Sequence, residues 1–255
     1  MVEAAFETQA KRETRLQTIG RGGLLVPPRE DADELLDLGV GTAEEVTASL
    51  DDLWRLNRFL GGLRALTTHL FPRLDLLVEP ATVTDIGAGD GRVAASIAAW
   101  ALGQHRAVRV VALDLSQRHL SRAKTHPVTT SNLSLLQADA TQLPFAPGTV
   151  DYYVSSLVLH HFTPEQAVAL LRSAYQSARR GLVISDLTRG YLPLLGFRLA
   201  QPVLARSPIT RYDGPVSIKR GYTPDELRLL AYEAGIPHPR IFVHPLWRMT
   251  LVADK

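Results

Sequence analysis

One short run, Asp85-Ile86-Gly87-Ala88-Gly89-Asp90-Gly91, constrains this chain more than any other feature. It follows the β-prone Ala81–Thr84 and leads into Arg92–Trp100, an apolar run that reads as helix. A strand, a glycine turn and a helix in that order build a nucleotide-type pocket. Glycine adopts backbone angles closed to other residues and lets a ligand lie against the main chain. The spacing departs from the dinucleotide fingerprint, which has glycine at its first, third and sixth positions. Here the glycines stand at the first, third and fifth positions, and Arg92 occupies the sixth. An acid, Asp85, sits two residues before the first glycine.

Around this turn the chain alternates strand and helix. Strands are predicted over Thr82–Ile86, Val108–Leu113, Leu133–Gln137, Asp151–Ser155 and Gly181–Ser185. Helices are predicted over Gly91–Leu102, Ser116–Lys124 and Pro164–Ala178. Thr163 and Pro164 give the last of these an N-cap and a proline at its first position. Such alternation implies an α/β fold with a doubly wound parallel sheet, helices on both faces and ligands beyond the carboxyl ends of the strands.

Four regions follow. Residues 1–75 form an N-terminal helical cap. Within it Ala43–Leu60 is an amphipathic helix with Thr42 and Glu45 as a capping box and Gly61-Gly62 at its end, preceded by a Gly20–Arg29 loop. Residues 76–190 form the ligand-binding core. Residues 191–222, with Pro193, Pro202, Pro208 and Pro215, break the rhythm and read as a lid or an inserted acceptor-site piece. Residues 223–255 add a helix, Pro224–Ala234, and two strands, Arg240–His244 and Trp247–Ala253, that complete the sheet.

Composition narrows the class. The 255 residues are enough for a full core, and 45% hydrophobic with 21% charged residues is ordinary for a globular protein. A formal charge of +2 without a basic tail argues against nucleic acid as a partner. The absence of cysteine excludes disulfides and thiolate metal sites, and no metal site is expected. Met1–Arg15 lacks the apolar core of a signal peptide. Arg198 interrupts the greasy Tyr191–Ala205, and no run reaches the roughly 20 residues of a membrane span. A cytoplasmic enzyme, monomeric or homodimeric, is expected.

The core resembles the class I S-adenosylmethionine-dependent methyltransferases, in their small-molecule branch. Four ordered pieces carry the resemblance: Asp85–Gly91; Leu113-Asp114-Leu115-Ser116; Ala138-Asp139-Ala140 followed by Leu143-Pro144-Phe145; and the segment from Val150 through Ser155 to His160-His161-Phe162. The resemblance implies a seven-stranded, mostly parallel Rossmann-like sheet and S-adenosyl-L-methionine as cofactor, with S-adenosyl-L-homocysteine as product. It implies that Gly87, Ala88 and Gly89 receive the methionine part, with Asp85 near its ammonium group. Asp114 would accept the ribose hydroxyls, and Asp139 the adenine amine. Leu115 and Ala140 would flank the adenine, and Ser155 would lie close by. Leu56–Gly62 resembles a segment that precedes the core in related enzymes, and Arg58 there matches a carboxylate.

The acceptor side is read from residue chemistry. A hydroxyl acceptor must lose a proton, and histidine is the side chain with an ordinary pKa closest to neutral. His160 and His161 follow the fourth strand and are the candidate catalytic bases, with His161 preferred. The motif that grips amino nitrogen in DNA methyltransferases, an acid or amide before Pro-Pro and an aromatic, is absent; Ser155-Ser156-Leu157 stands there. Asp186, Tyr212, Asp213 and Arg220 are candidate acceptor contacts. The expected activity is O-methylation of an aromatic or polyketide-like hydroxyl in secondary metabolism. C-methylation of a quinone or enol-like acceptor, a non-catalytic cofactor-binding partner protein, and a nicotinamide-dependent oxidoreductase are the alternatives.

Overall fold

The sheet is organised around β1 (Ala81–Ile86), whose inward positions Val83 and Ile86 are buried and which pairs in parallel with β2 (Val108–Asp114) on one side and β4 (Val150–Ser156) on the other. A computed structural model describes residues 15–123 and 130–255. Among the described residues there is one seven-stranded sheet in the order β3-β2-β1-β4-β5-β7-β6. Here β3 is Leu133–Gln137, β5 Ala178–Leu187, β6 Arg240–His244 and β7 Arg248–Asp254. β7 runs antiparallel to β5 and β6; the other pairings are parallel.

The expected mostly parallel seven-stranded sheet is therefore present. Strand ends moved by one to three residues, most at β5, which starts at Ala178 rather than Gly181 and pairs there with Val150 across a register shift. The first candidate helix, α1 (Ala43–Phe59), has the Thr42–Glu45 capping box, and Gly61 in the left-handed region (φ +78°) separates it from α2 (Gly62–Asp75).

Helices α2 and α3 (Arg92–Gly103) cover one face, where Leu66, Leu70 and Ile97 pack on Val83, Val110 and Val154. Helices α5 (Pro164–Ser177) and α8 (Pro224–Glu233) cover the other, where Val168, Leu171 and Leu227 pack on Tyr153 and Leu182. Helix α4 (Gln117–Ala123) follows β2. The end predicted for it at Lys124 falls outside the described residues, as do residues 1–14 of the N-terminus.

The long connection after β5 is two helices, α6 (Tyr191–Leu204) and α7 (Pro208–Arg220). Pro202 and Pro215 sit inside them. Proline removes the N–H that would serve the carbonyl four residues back. For Pro215 that carbonyl belongs to Arg211, and the Gln201 side chain donates to it instead, at 3.2 Å. Asp52 of α1, fully buried, accepts from the Arg206 and Ser207 N–H groups at 2.6 and 2.7 Å and so caps α7 from another element. The cap thus holds α6 and α7 above the carboxyl ends of β1 and β4, where the strand order reverses.

Candidate active site

A cavity of about 870 Å³ opens at that reversal point. Its two ends differ in chemistry. One is built by the glycine turn, the end of β2 and the loop after β3. The other is lined by apolar side chains of α1, α6 and α7, with His160 and His161 between them.

At the first end Gly89 has φ +57°, and a Cβ built there would meet nothing within 4 Å, so the turn presents open backbone to the cavity. Asp114 accepts from the Gly89 N–H at 2.7 Å and the Ser116 N–H at 2.8 Å, which leaves each carboxylate oxygen a further lone pair. Leu115, Asp139 and Ala140 line the same end. One Asp139 oxygen is held by the Thr141 N–H and hydroxyl, both at 2.8 Å. Asp85 lies beneath the turn, fully buried and outside the lining; its Oδ2 has no hydrogen-bond partner. Burial first, and the Asp114 charge second, push its carboxyl up to about 8. Ser155 is buried, with its hydroxyl donating to the Ile86 carbonyl at 2.9 Å, and neither it nor Ala88 lines the cavity. Arg58 is on the exposed face of α1, over the Phe59 ring and away from the lining, so its expected grip on a cofactor carboxylate is revised on geometry.

The two histidines occupy a short 3-10 turn, Leu159–His161, after β4. Two arginines hold its carbonyls: Arg29 donates to the His160 and Phe162 oxygens at 3.0 and 2.9 Å, and Arg220 to His161 at 2.7 Å. His160 is buried with Nδ1 2.8 Å from Asp186 and Nε2 3.4 Å from Glu34. Burial works against its proton, but the Asp186 and Glu34 carboxylates win and raise its pKa to about 10. Both ring nitrogens of His160 thus face carboxylates and its charged form is favoured, which argues against the expected role as base. His161 lines the cavity with Nδ1 2.6 Å from Asp37 Oδ2. Burial opposes the Asp37 charge, yet the His161 hydrogen bond and the His161 and Arg220 charges hold its carboxyl below the ordinary value.

Glu34 and Asp37 come from the N-terminal region and were missed by the sequence reading. The signal was there in Asp33-Glu34-Leu35-Leu36-Asp37, two acids three residues apart, but nothing local says that this segment reaches β4. Asp213 brings it there: its carboxylate accepts from the Leu35 and Leu36 N–H groups at 2.8 and 3.1 Å. Among the described residues, Glu34, His160 and His161 form one group whose ligand-type atoms lie within 4.8 Å of one another. Hydrogen bonds already engage it: Ser217 donates to Glu34 at 2.9 Å beside the His160 contact.

All four expected acceptor contacts are thereby revised. Asp186 serves His160, Asp213 the Leu35-Leu36 backbone, and Arg220 the carbonyls of Ala32 and His161. None lines the cavity, and Tyr212 is half exposed outside it. The apolar wall comes instead from Val46, Leu50 and Leu56 of α1, Phe197 of α6, Ile218 of α7 and Trp247. Leu199, Leu246 and Trp247 also reach solvent, so the wall is continuous with the cavity's rim.

The sheet order, the glycine turn and the acid at the tip of β2 give the Rossmann-like fold shared by methyltransferase structures. Comparison with known proteins agrees: residues 83–181 match the family model described as a methyltransferase domain. An uncharacterized methyltransferase of Synechocystis sp. is 28% identical over 114 residues, 44% of this chain and 50% of that protein. The chain thus spans about half the length of that curated relative. Among solved structures, the plantazolicin methyltransferase BpumL with S-adenosylhomocysteine superposes with TM-score 0.65 at 14% identity, covering 87% of this chain and 95% of that one. A methyltransferase from Aquifex aeolicus gives 0.57 at 19% identity, covering 84% and 99%. An O-methyltransferase family 2 protein from Planctomyces limnophilus, complexed with apigenin, gives 0.56 at 19% identity, covering 83% and 61%. At these identities the likeness is one of fold.

The open backbone at Gly89 and the spare lone pairs of Asp114 leave room and acceptor oxygens for a polar ligand such as S-adenosylmethionine. No described helix is long and apolar enough to cross a membrane.

Proposed function

We propose that this chain methylates a hydroxyl oxygen of a small, largely apolar acceptor, with His161 as general base and Asp37 as its orienting partner. The observation that carries the reading is the His161–Asp37 pair set in the wall of an apolar cavity. When bound, S-adenosylmethionine supplies a methyl group already activated on sulfonium sulfur. The chain's own residues are left to orient the acceptor, exclude water and take one proton.

A phenol has a pKa of about 10, so its oxygen is a poor nucleophile at neutral pH until the proton leaves. Asp37 fixes the His161 tautomer: Nδ1 carries the proton toward the carboxylate, and Nε2 keeps the lone pair. Nε2 takes the hydroxyl proton, and the resulting imidazolium is favoured by Asp37 and by Glu34, 3.9 Å from Nδ1. His160 acts by position, holding Glu34 and Asp186 through its two nitrogens. Asp114, Asp139, Leu115, Ala140 and the turn Gly87–Gly89 are proposed as the donor site.

The size and apolar lining of the cavity support an aromatic or polyketide-like acceptor, as in secondary metabolism. Solved structures of this fold hold small molecules, among them the plantazolicin methyltransferase BamL with a triazolic desmethylPZN analog and a family 2 O-methyltransferase with apigenin. A cytoplasmic location belongs to this proposal. The test is incubation of purified protein with S-adenosylmethionine and a phenol panel, with products read by mass spectrometry. A methyl ether from the native chain, lost in His161→Gln, supports the reading. Methylation only at carbon, or full activity in His161→Gln, overturns it.

A further inference from the structure

Among the described residues three arginines are almost entirely buried, Arg189, Arg220 and Arg248, and two have evident partners. Arg189 pairs with Glu226 at 2.6 Å and donates to the Gly221 carbonyl at 2.7 Å. Arg220 donates to three carbonyls. Arg248 differs. It is 6% exposed, lines the cavity, and makes one contact, from Nε to the Leu60 carbonyl at 3.4 Å. Its Nη1 is buried without a partner, and among the described residues it has no ion pair. Burial lowers its pKa to about 10, against a Coulombic pull from Asp186 that comes without contact.

A buried guanidinium without an anion is expensive, because its hydration is lost and nothing replaces it. The chain also tolerates local strain beside it. Leu246 and Trp247, which join β6 to β7, have φ of +60° and +57°. Bulky residues rarely adopt such angles and are strained there. Trp247 is seated against Gly196, where a Cβ would come within 2.3 Å of the ring. Arg248 is the first residue of β7, fixed directly after this turn and opposite Leu187 of β5, at the acceptor end.

We propose that Arg248 anchors a carboxylate carried by the acceptor, so that the acceptor is an apolar skeleton bearing a methylatable hydroxyl and a separate anionic group. This rests on the reading of the cavity as a methyl-acceptor site. A guanidinium matches a carboxylate through two parallel N–H donations, and both partners lose their desolvation penalty together. Such an anchor fixes the skeleton at one point and leaves the hydroxyl to be presented to His161. The cofactor's own carboxylate is the other possible source of the anion, and the experiment separates the two.

The test uses the full chain and the variants Arg248→Met and Arg248→Lys. Without ligand, Arg248→Met should unfold about 2–4 °C higher than the native chain, since a neutral side chain of similar length replaces an unpaired cation. A structural arginine would give a fall, which would overturn the inference. Calorimetry with S-adenosylhomocysteine should give equal affinity for all three proteins; a tenfold loss in Arg248→Met assigns the guanidinium to the cofactor and overturns it as well. With S-adenosylhomocysteine present, aryl and alkyl carboxylates are compared with neutral counterparts, such as 4-hydroxycinnamate with 4-vinylphenol. The native chain should prefer the carboxylate at least tenfold, Arg248→Lys should keep part of that preference, and Arg248→Met should lose it. If no carboxylate outbinds its counterpart, or Arg248→Met keeps the preference, the anchor is refuted. These readouts are binding and unfolding, so a failure of methyl transfer to appear leaves them interpretable separately.

Discussion

Asp37 and His161, 124 residues apart in the chain, meet at 2.6 Å through one carboxylate oxygen and one ring nitrogen. The contact sets a carboxylate against one ring nitrogen of a histidine in the cavity wall. Replacing His161 with Gln should lower turnover by about 10²–10⁴-fold at saturating cofactor, the usual scale of general-base catalysis. Asp37→Asn should cost less, since the histidine remains and only its orientation loosens. S-adenosylhomocysteine affinity, measured by calorimetry, should be unchanged in both; if turnover also stays unchanged, the base assignment fails.

The His160 network makes a pH prediction of definite sign. The folded-state pKa of about 10 exceeds the ordinary value of 6.5, so the stabilisation is complete below 6.5 and fades as pH rises toward 10. Glu34 and Asp186 titrate below their ordinary carboxylate values, so their contribution is lost only in acid. His160→Asn leaves two buried carboxylates facing each other and should cost about 3–5 kcal/mol near pH 6. Melting curves of native and variant protein should converge as pH approaches 10.

Asp85 has the same sign as His160 and the opposite sign to Glu34 and Asp186. Its carboxyl is raised to about 8, so the folded chain keeps a proton that the unfolded chain releases near 4. Stability of the ligand-free protein should therefore decline from about pH 4 to pH 8 on this account. Asp85→Asn should flatten that decline, visible as a higher melting temperature than the native chain at pH 8–9. An unchanged slope would remove Asp85 as its source.

Asp114 ties the glycine turn to the start of α4 by its two backbone bonds. Asp114→Ala should weaken S-adenosylhomocysteine binding at least tenfold by removing both the acceptor oxygens and the turn's brace. Gly89→Ala should weaken it too, through the left-handed backbone and a methyl placed in open space. Calorimetry reads both, and full affinity in either variant would move the donor site elsewhere.

The pieces legible in the sequence are those written locally. The turn Asp85–Gly91, the capping box Thr42–Glu45, the N-cap Thr163 with Pro164, and the parallel strands all follow from neighbours a few residues apart. Glu34, Asp37 and Arg248 were not legible, because each enters the cavity by packing across the fold. The turn at Leu246-Trp247 was hidden for a different reason: its residues contradict the chemistry that such a turn prefers. Asp186, Asp213 and Arg220 have the right chemistry for an acceptor, but buried backbone groups claimed them first.

Asp37, the α1 wall and Arg248 all stand outside residues 83–181, the portion that matches the methyltransferase family model. Under the proposed function, most of the acceptor wall therefore lies on stretches that flank the donor site, with His161 where the two meet. Exchanging the flanking stretches between relatives is then expected to change the acceptor while the donor site stays intact.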